Sequence, residues 1–217
     1  MMTARSVLAL AVLLAAAPAC RSDAPVLVRL DLPGVSPFPA GAFGEIVVTD
    51  FRNDAAVADF DPGLELQSYL AAELRRVFKG PVSVRPRPDE GFAAPALWKE
   101  AGAGRDRPVF LTGSVRLESQ IRKALQKKSV PVDSPFKLRD RGLIEQRRWT
   151  LAVDLSVISG QSGDVLYHRM YREDRDYIDL ETSAEFAFSA LSAGFVAGLF
   201  PTLLGSPTSE QRTLLWR

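Results

Sequence analysis

The apolar residues in the first half of this chain form two kinds of pattern, which follow each other in turn along the sequence. Short β-branched runs that are too brief for helices predict strands, and longer segments with apolar residues every three or four positions predict helices. The predicted order is strand, helix, strand, helix, strand: Glu45 to Phe51, Leu66 to Phe78, Val82 to Arg85, Ala93 to Ala101 and Val109 to Leu117. This alternation is typical of an α/β layer architecture.

The first of these helices has the clearest end signals in the sequence. Asp61 is suited to cap the helix N-terminus and Pro62 to occupy its first turn, while Gly80 and Pro81 end it. The helix therefore begins near residue 61, with an apolar stripe facing a sheet.

The second half of the chain predicts a hairpin followed by a helix. Strict alternation from Trp149 to Ile158 predicts a half-buried strand, and a glycine-containing turn leads into a partner strand over Asp164 to Tyr171. Thr182, followed by Glu185, resembles a capping box that begins a last helix. We predict a layered α/β fold: a mixed sheet of about four or five strands, helices on one or both faces, then a β-hairpin and a C-terminal helix.

Residues 118–148 interrupt this regular pattern with an excursion whose first half we predict to be helical. The segment contains two prolines and nine basic residues against four acidic ones. Such a density of cations suits an anionic partner, although charge runs are more often solvated faces. The candidate partner-binding residues are Arg122, Lys123, Lys127, Lys128, Lys137, Arg139, Arg141, Arg147 and Arg148.

Cys20 is the single cysteine, and it follows a short apolar N-terminal segment. Arg5, the uncharged stretch after it and the small residues before Cys20 are typical of a signal peptide. The sequence from Ala17 to Cys20 resembles a bacterial lipobox, which implies cleavage before the cysteine and acylation of its thiol. An ordinary secretory signal with an incidental cysteine is the alternative.

Four parts follow from these assignments. Residues 1–19 are the signal peptide, and residues 20–43 are a lipidated N-terminus and proline-containing tether, with one early strand over Val26 to Leu32. Residues 44–205 form a single α/β domain, and residues 206–217 are a C-terminal tail.

The charge and residue inventory narrows the function classes. The 27 basic and 26 acidic side chains nearly cancel, which argues against electrostatic capture of nucleic acid. His168 is the single histidine, so a zinc site of Cys and His cannot be assembled and a catalytic triad has one candidate base. We therefore expect no enzyme activity, no cofactor and no metal, with a lipid-anchored hydrolase as the alternative.

The apolar segment from Phe186 to Gly205 carries no charge and is long enough to span a bilayer. Its serines, glycines and Pro201 weaken that interpretation. We predict a helix packed on the sheet, with one side left for a partner and a membrane-inserted end as the alternative.

Three stretches together resemble a family of Gram-negative envelope lipoproteins whose domain is like that of the curli-secretion protein CsgG, the TolB N-terminal domain and penicillin-binding-protein activators. Glu45 to Asn53 looks like that family's opening strand and turn, and Val109 to Val115 resembles its third strand. The hairpin from Leu151 to Tyr167 resembles its glycine-containing turn. Pro62 to Glu65 looks instead like the helix opening of the lipopolysaccharide-assembly lipoprotein LptE, which is the second resemblance.

The resemblance implies a non-enzymatic accessory protein of outer-membrane assembly, secretion or polymer export. It implies an outer-membrane lipoprotein that faces the periplasm, with assembly or secretion proteins as partners and a homo-oligomer as one form of the assembly. Residues 118–148 are too charged and proline-broken to supply the membrane strands of a curli channel, which argues against a pore.

If Cys20 carries the lipid, the Cys20→Ser variant loses membrane association, because no acyl chain remains to bury in the bilayer. Sedimentation of the full chain with membranes measures this loss. Unchanged sedimentation contradicts the lipid anchor and favours the segment from Phe186 to Gly205 as the membrane contact.

Overall fold

The computed structural model describes residues 26–33, 36–39, 41–55, 60–88, 94–125, 143–205 and 208–214. The chain divides into two compact units. Residues 34–206 form the larger unit, and the segments before and after it form the smaller one.

The larger unit contains six strands and three helices among its described residues. The first strand, β1 (Val26–Leu32), belongs to the smaller unit. The strands of the larger unit are β2 (Glu45–Thr49), β3 (Arg52–Asn53), β4 (Val82–Arg85), β5 (Pro108–Leu125), β6 (Leu143–Ser159) and β7 (Val165–Tyr177). Its helices are α1 (Pro62–Val77), α2 (Pro95–Gly102) and α3 (Ala184–Leu204).

These strands form one mixed sheet in the order β4-β2-β5-β6-β7, with β3 also pairing β5. β2 is parallel to β4 and β5, whereas β6 is antiparallel to β5 and β7. The parallel part arises from the strand-helix-strand connections and the antiparallel part from hairpins. The predicted α/β class, with a terminal hairpin followed by a helix, is confirmed.

The main core lies between the sheet and the helices α1 and α3. Leu70 of α1 and Phe195 of α3 are fully buried against apolar side chains such as Leu111 and Leu155 from the central strands. Gln67 of α1 donates from Nε2 to the carbonyl oxygen of Val48, at 3.2 Å, and so fixes the helix on the end of β2. The predicted apolar stripe of α1 therefore faces the sheet.

The opposite face of the sheet is covered at one end by α2. Trp98 of this short helix is 1% exposed and packs on Phe110, with ring centroids 5.1 Å apart. A Cβ atom on Gly102 would lie 2.4 Å from the carbonyl oxygen of Gly160, so glycine allows the helix to approach the hairpin turn closely. α2 thus covers only one end of this face.

The predicted helix in the first half of residues 118–148 is wrong, because this part of the chain extends the hairpin. β5 continues to Leu125 and β6 begins at Leu143, and the two strands pair over this whole length. Local helix propensity is a weak preference that cross-strand hydrogen bonding overrides. Residues 126–142 lie outside the described residues.

The cap of α1 is confirmed, and that of α3 is shifted by one residue. The Asp61 carboxylate accepts from the backbone N–H of Gly63 at 2.8 Å. At α3, Ser183 accepts from the N–H of Phe186, whereas the Thr182 hydroxyl donates to the carbonyl oxygen of Asp179. Thr182 is therefore part of the preceding turn and not the predicted N-cap.

α3 packs on the sheet, as predicted. Among the described residues it is the one helix whose length and apolar composition would suffice to cross a membrane, and half of its apolar window is buried inside the fold. Leu191, Phe195 and Leu199 form the buried side, so a core helix accounts for the apolar segment.

The smaller unit is a two-stranded antiparallel sheet of β1 (Val26–Leu32) and β8 (Thr208–Leu214). β1 is the early strand anticipated within the tether, whereas β8 lies in the predicted tail, where no strand was expected. The two strands pair along their full length, from Val26 opposite Leu214 to Leu32 opposite Thr208.

Replacing Leu70 by Ala should destabilise the fold by about 2–5 kcal/mol, because the side chain is fully buried and its loss leaves a cavity. Leu64→Ala on the same helix is the matched control, since Leu64 is 52% exposed and its truncation should change stability by less than about 0.5 kcal/mol. Urea denaturation measures both, and equal losses would place Leu70 outside the core.

Candidate functional site

The sheet has an open face beyond α2, defined here by the outward side chains of β5, β6 and β7. Because opposite residues in an antiparallel pair share a face, the pairing register fixes which side chains meet there. These residues are Ser114, Arg116, Glu118, Gln120 and Arg122 of β5, Arg148, Thr150, Ala152, Asp154 and Ser156 of β6, and His168, Met170, Arg172, Asp174 and Asp176 of β7. The face is polar and strongly charged.

Two ladders of side chains connect β6 to β7 across this face. Arg148 contacts Asp176 with both arms of its guanidinium, at 2.6 Å for each pair of atoms. The Thr150 hydroxyl donates to Asp174 at 2.5 Å, and Arg172 lies 3.3 Å from the same carboxylate. The bidentate pair fixes the Arg148 guanidinium in one orientation.

These contacts lower the pKa values of both carboxyl groups. The hydrogen bond from Arg148 lowers the pKa of Asp176, and the hydrogen bond from Thr150 is the main cause of the lowered pKa of Asp174. Both groups are therefore ionised at neutral pH, and they offset the charges of the arginines beside them.

An open groove of about 720 Å³ lies beside these ladders. Arg122, Arg148 and Arg172 contribute its cationic side, and Glu118, Gln120 and Thr150 contribute acceptors and donors. Within the described residues, Arg148 and Arg172 have carboxylate partners, whereas Arg122 makes no ion pair. Arg122 lies close enough to Asp176 to help lower the pKa of that carboxyl group, but it is the groove arginine that has no ion pair of its own among the described residues.

The structure divides the predicted basic residues between two faces of the hairpin. Arg122 and Arg148 lie on the open face, and Lys123 and Arg147 lie on the other. The Arg147 guanidinium carbon is 6.0 Å from the centre of the Trp149 ring, within the range of a cation–π contact. Cys20, Lys127, Lys128, Lys137, Arg139 and Arg141 are outside the described residues.

A smaller pocket of about 260 Å³ contains the single histidine. His168 Nε2 lies 2.5 Å from Asp154 Oδ1, and Ser114, Ser156, Arg52 and Gly113 complete the lining. A nucleophilic triad needs a serine hydroxyl hydrogen-bonded to the histidine. Ser114 instead hydrogen-bonds Asp54 and lowers the pKa of that carboxyl group. Among the described contacts, no serine hydroxyl is hydrogen-bonded to His168.

The described residues contain no group of three or more His, Cys, Asp or Glu side chains placed to hold a metal ion. Sequence reasoning missed the Asp154–His168 contact, although the alternation of β6 already places Asp154 on its polar face. The β-bulge between Val157 and Ile158 shifts the β6–β7 register by one residue and so brings Ser156 opposite His168. Counting from the turn alone would place Ser156 opposite Tyr167, so this juxtaposition could not be obtained from the sequence.

No protein-family model matches this chain, and no curated protein matches it. Solved structures similar to it include a PelC dodecamer from Paraburkholderia phytofirmans, at 14% identity and a TM-score of 0.43, covering 82% of this chain and 98% of that one. Lipoprotein GNA1162 from Neisseria meningitidis has 14% identity and a TM-score of 0.37, covering 74% and 98%.

A minor lipoprotein from Acinetobacter baumannii has 11% identity and a TM-score of 0.35, covering 72% of this chain and 92% of that one. Two of these three solved proteins are thus described as lipoproteins. Likenesses of this degree carry no functional argument.

The Asp176→Asn variant should lose stability at pH 6 relative to the wild type, and this difference should shrink as the pH falls. The folded pKa of Asp176 is lowered by its hydrogen bond from Arg148, so its contribution is fully present above the unfolded value of about 3.9 and is lost as the pH falls below that value through the folded pKa. Urea midpoints across this range measure the difference.

Asp164→Asn is the matched control, because Asp164 is an exposed carboxylate in the hairpin turn and makes no ion pair within the described residues. Its stability difference should stay near zero throughout. A difference for Asp176→Asn that grows towards acid would contradict the assigned ion pair.

Proposed function

We propose that this chain is a non-enzymatic, lipid-anchored accessory protein of the bacterial cell envelope that acts by binding partners. The observation that carries the proposal is the open face of the sheet. It offers a wide charged groove whose side chains pair with one another. Among the described residues, no serine or threonine hydroxyl is hydrogen-bonded to His168, the one histidine that could act as a base. Such a surface suits recognition better than bond cleavage.

Attachment to the membrane follows in this proposal from acylation of Cys20. The residue after it is Arg21 and not Asp, which by the enterobacterial sorting rule favours the outer membrane. The α/β body then hangs on the periplasmic side and docks outer-membrane assembly, secretion or polymer-export proteins. The sequence resemblance to CsgG-like lipoproteins supports this finer role, and the LptE-like reading is its alternative.

The cationic end of the hairpin is proposed to contact acidic groups on the partner or the exported polymer. Arg122 and Lys123 lie on the exposed part of β5. Further basic candidates lie between Leu125 and Leu143 in the sequence, outside the described residues. Arginine and lysine together suit carboxylate and phosphate groups.

An affinity pull-down of the lipidated protein from gently solubilised envelopes tests the proposal. Recovery of an outer-membrane secretion or export component supports the CsgG-like role, and recovery of a lipopolysaccharide-assembly component supports the LptE-like one. A protein that elutes without partners while hydrolysing envelope substrates would overturn the non-enzymatic assignment.

Charge reversal of Arg122, or of Lys127, Lys128, Arg139 and Arg141 together, should leave the fold intact and weaken capture of an anionic partner. The expected loss is about two- to five-fold for Arg122 alone, since an exposed ion pair contributes up to about 1 kcal/mol. The amount of partner retained in the pull-down measures it.

Lys99→Glu is the matched control, because Lys99 is exposed on α2 and lies outside the groove. Capture by this variant should equal that of the wild type. Equal capture by the wild type and all the reversed variants would favour the alternative, in which these basic residues contact only solvent.

A further inference from the structure

β7 presents an unusually long outer edge. It runs for 13 residues, from Val165 to Tyr177, and stands at the end of the sheet. Its inner edge pairs with β6, and within the described residues no strand pairs its outer edge. An exposed edge of this length is a template for another strand, because its outward N–H and C=O groups lack partners in the sheet.

The charges of β7 are self-complementary about its midpoint, Tyr171. A two-fold axis perpendicular to the sheet at this residue would place residues equally distant from it opposite each other and on the same face. The pairs include Arg169 with Glu173, His168 with Asp174, Tyr167 with Arg175 and Met170 with Arg172. No like charges are opposed. The regular part of the pairing runs from Tyr167 to Arg175, because a β-bulge interrupts β7 at Leu166.

Neighbouring registers lack this complementarity. An axis at Arg172 would place that arginine against its own copy and Arg169 against Arg175. An axis at Met170 would place His168 against Arg172 and remove both arginine–carboxylate pairs. Cross-strand like charges are destabilising, so the sequence of β7 favours the register centred on Tyr171.

Arg169 and Glu173 make no ion pair within the described part of the chain. Arg169 lies over the Tyr171 ring, 5.1 Å from its centre, and hydrogen-bonds Tyr167 and Tyr171, which raises the pKa of its guanidinium. These tyrosines hold Arg169 on the face of Glu173. Intermolecular pairing would therefore supply the carboxylate partner that Arg169 does not have within the described fold.

The outer side of α3 adds a second, independent observation. A Cβ atom on Gly194 would lie 2.8 Å from the Glu173 carboxylate, and one on Gly198 would lie 3.9 Å from the Tyr171 ring, so α3 runs directly beside β7. From Ser189 onward the exposed residues of α3 are all small, namely Ser189, Ala193, Ala197 and Gly198, so this side allows another helix to approach closely.

We propose that β7 and α3 form the interface of a homodimer, in which two sheets join through antiparallel β7 strands about a two-fold axis at Tyr171. The same axis brings two α3 helices side by side on one face. Helices pack at axis separations of about 8–10 Å, and small residues favour the close end of that range. The interface also covers the exposed side chains of Val165, Leu166 and Met170.

Reciprocal charge reversal tests the register. In the full chain carrying Cys20→Ser, so that no acyl chain contributes, sedimentation velocity should show a dimer. Arg169→Glu and Glu173→Arg should each weaken self-association at least about ten-fold, because each creates two repulsive pairs per dimer. An equimolar mixture of the two variants should regain the dimer, since every opposed pair is then Arg with Glu.

Arg116→Glu is the matched control, because it reverses an exposed arginine on the open face, away from the β7 edge. It should dimerise like the wild type. Near-ultraviolet circular dichroism of each variant checks that the fold is retained, so that a loss of dimer reports on the interface.

Four outcomes would overturn the proposal. They are a monomeric wild type at about 100 μM, self-association that both reversals leave unchanged, a mixture that stays monomeric, and a larger assembly that survives both reversals. If the wild type is monomeric and binds phosphatidylcholine vesicles without its lipid, a bilayer covers α3 instead.

Discussion

The antiparallel pairing of β5 with β6 is the contact on which the rest of this fold depends. The register from Val109 opposite Ser159 to Leu125 opposite Leu143 decides, residue by residue, which side chains enter the core and which reach the open face. A slip of β6 by one residue against β5 would turn its side chains over, because side chains alternate along a strand. Val157 would then leave the core face that Leu111 occupies, and Arg148 and Thr150 would point towards α1 and α3.

The two faces of the sheet have different roles: one forms the core and the other forms the charged surface. One is covered by α1 and α3 and contains most of the buried apolar side chains. The other is covered by α2 only at one end, where Trp98 packs on Phe110 and Val47. Beyond that helix the strands are joined by their backbone hydrogen bonds, and cross-strand polar contacts such as Arg148 with Asp176 add to them. The same contacts that stabilise this surface form a charged groove, so binding and stability are coupled there.

Both proposed interactions use features that a stable monomer does not require. Arg122, Arg169 and Glu173 make no ion pair among the described residues. The exposed small residues of α3, such as Ala193 and Ala197, are a further surface that the described fold leaves uncovered. Because exposed ion pairs contribute little to folding stability, charge reversals at these positions separate partner binding and self-association from the fold itself.

Local spacing and turn chemistry in the sequence specify the alternation of strands and helices, the α1 cap at Asp61, the β6–β7 turn and α3 as a core helix. The alternation of β6 also places Asp154 on its polar face, but the β-bulge that brings His168 to Asp154 follows from strand pairing. That residues 118–125 form a strand is also a result of the tertiary structure, since their hydrogen-bonding partners lie beyond Leu143 in the chain. The division of the basic residues between two faces, and the pairing of β1 with β8, likewise depend on contacts between distant segments.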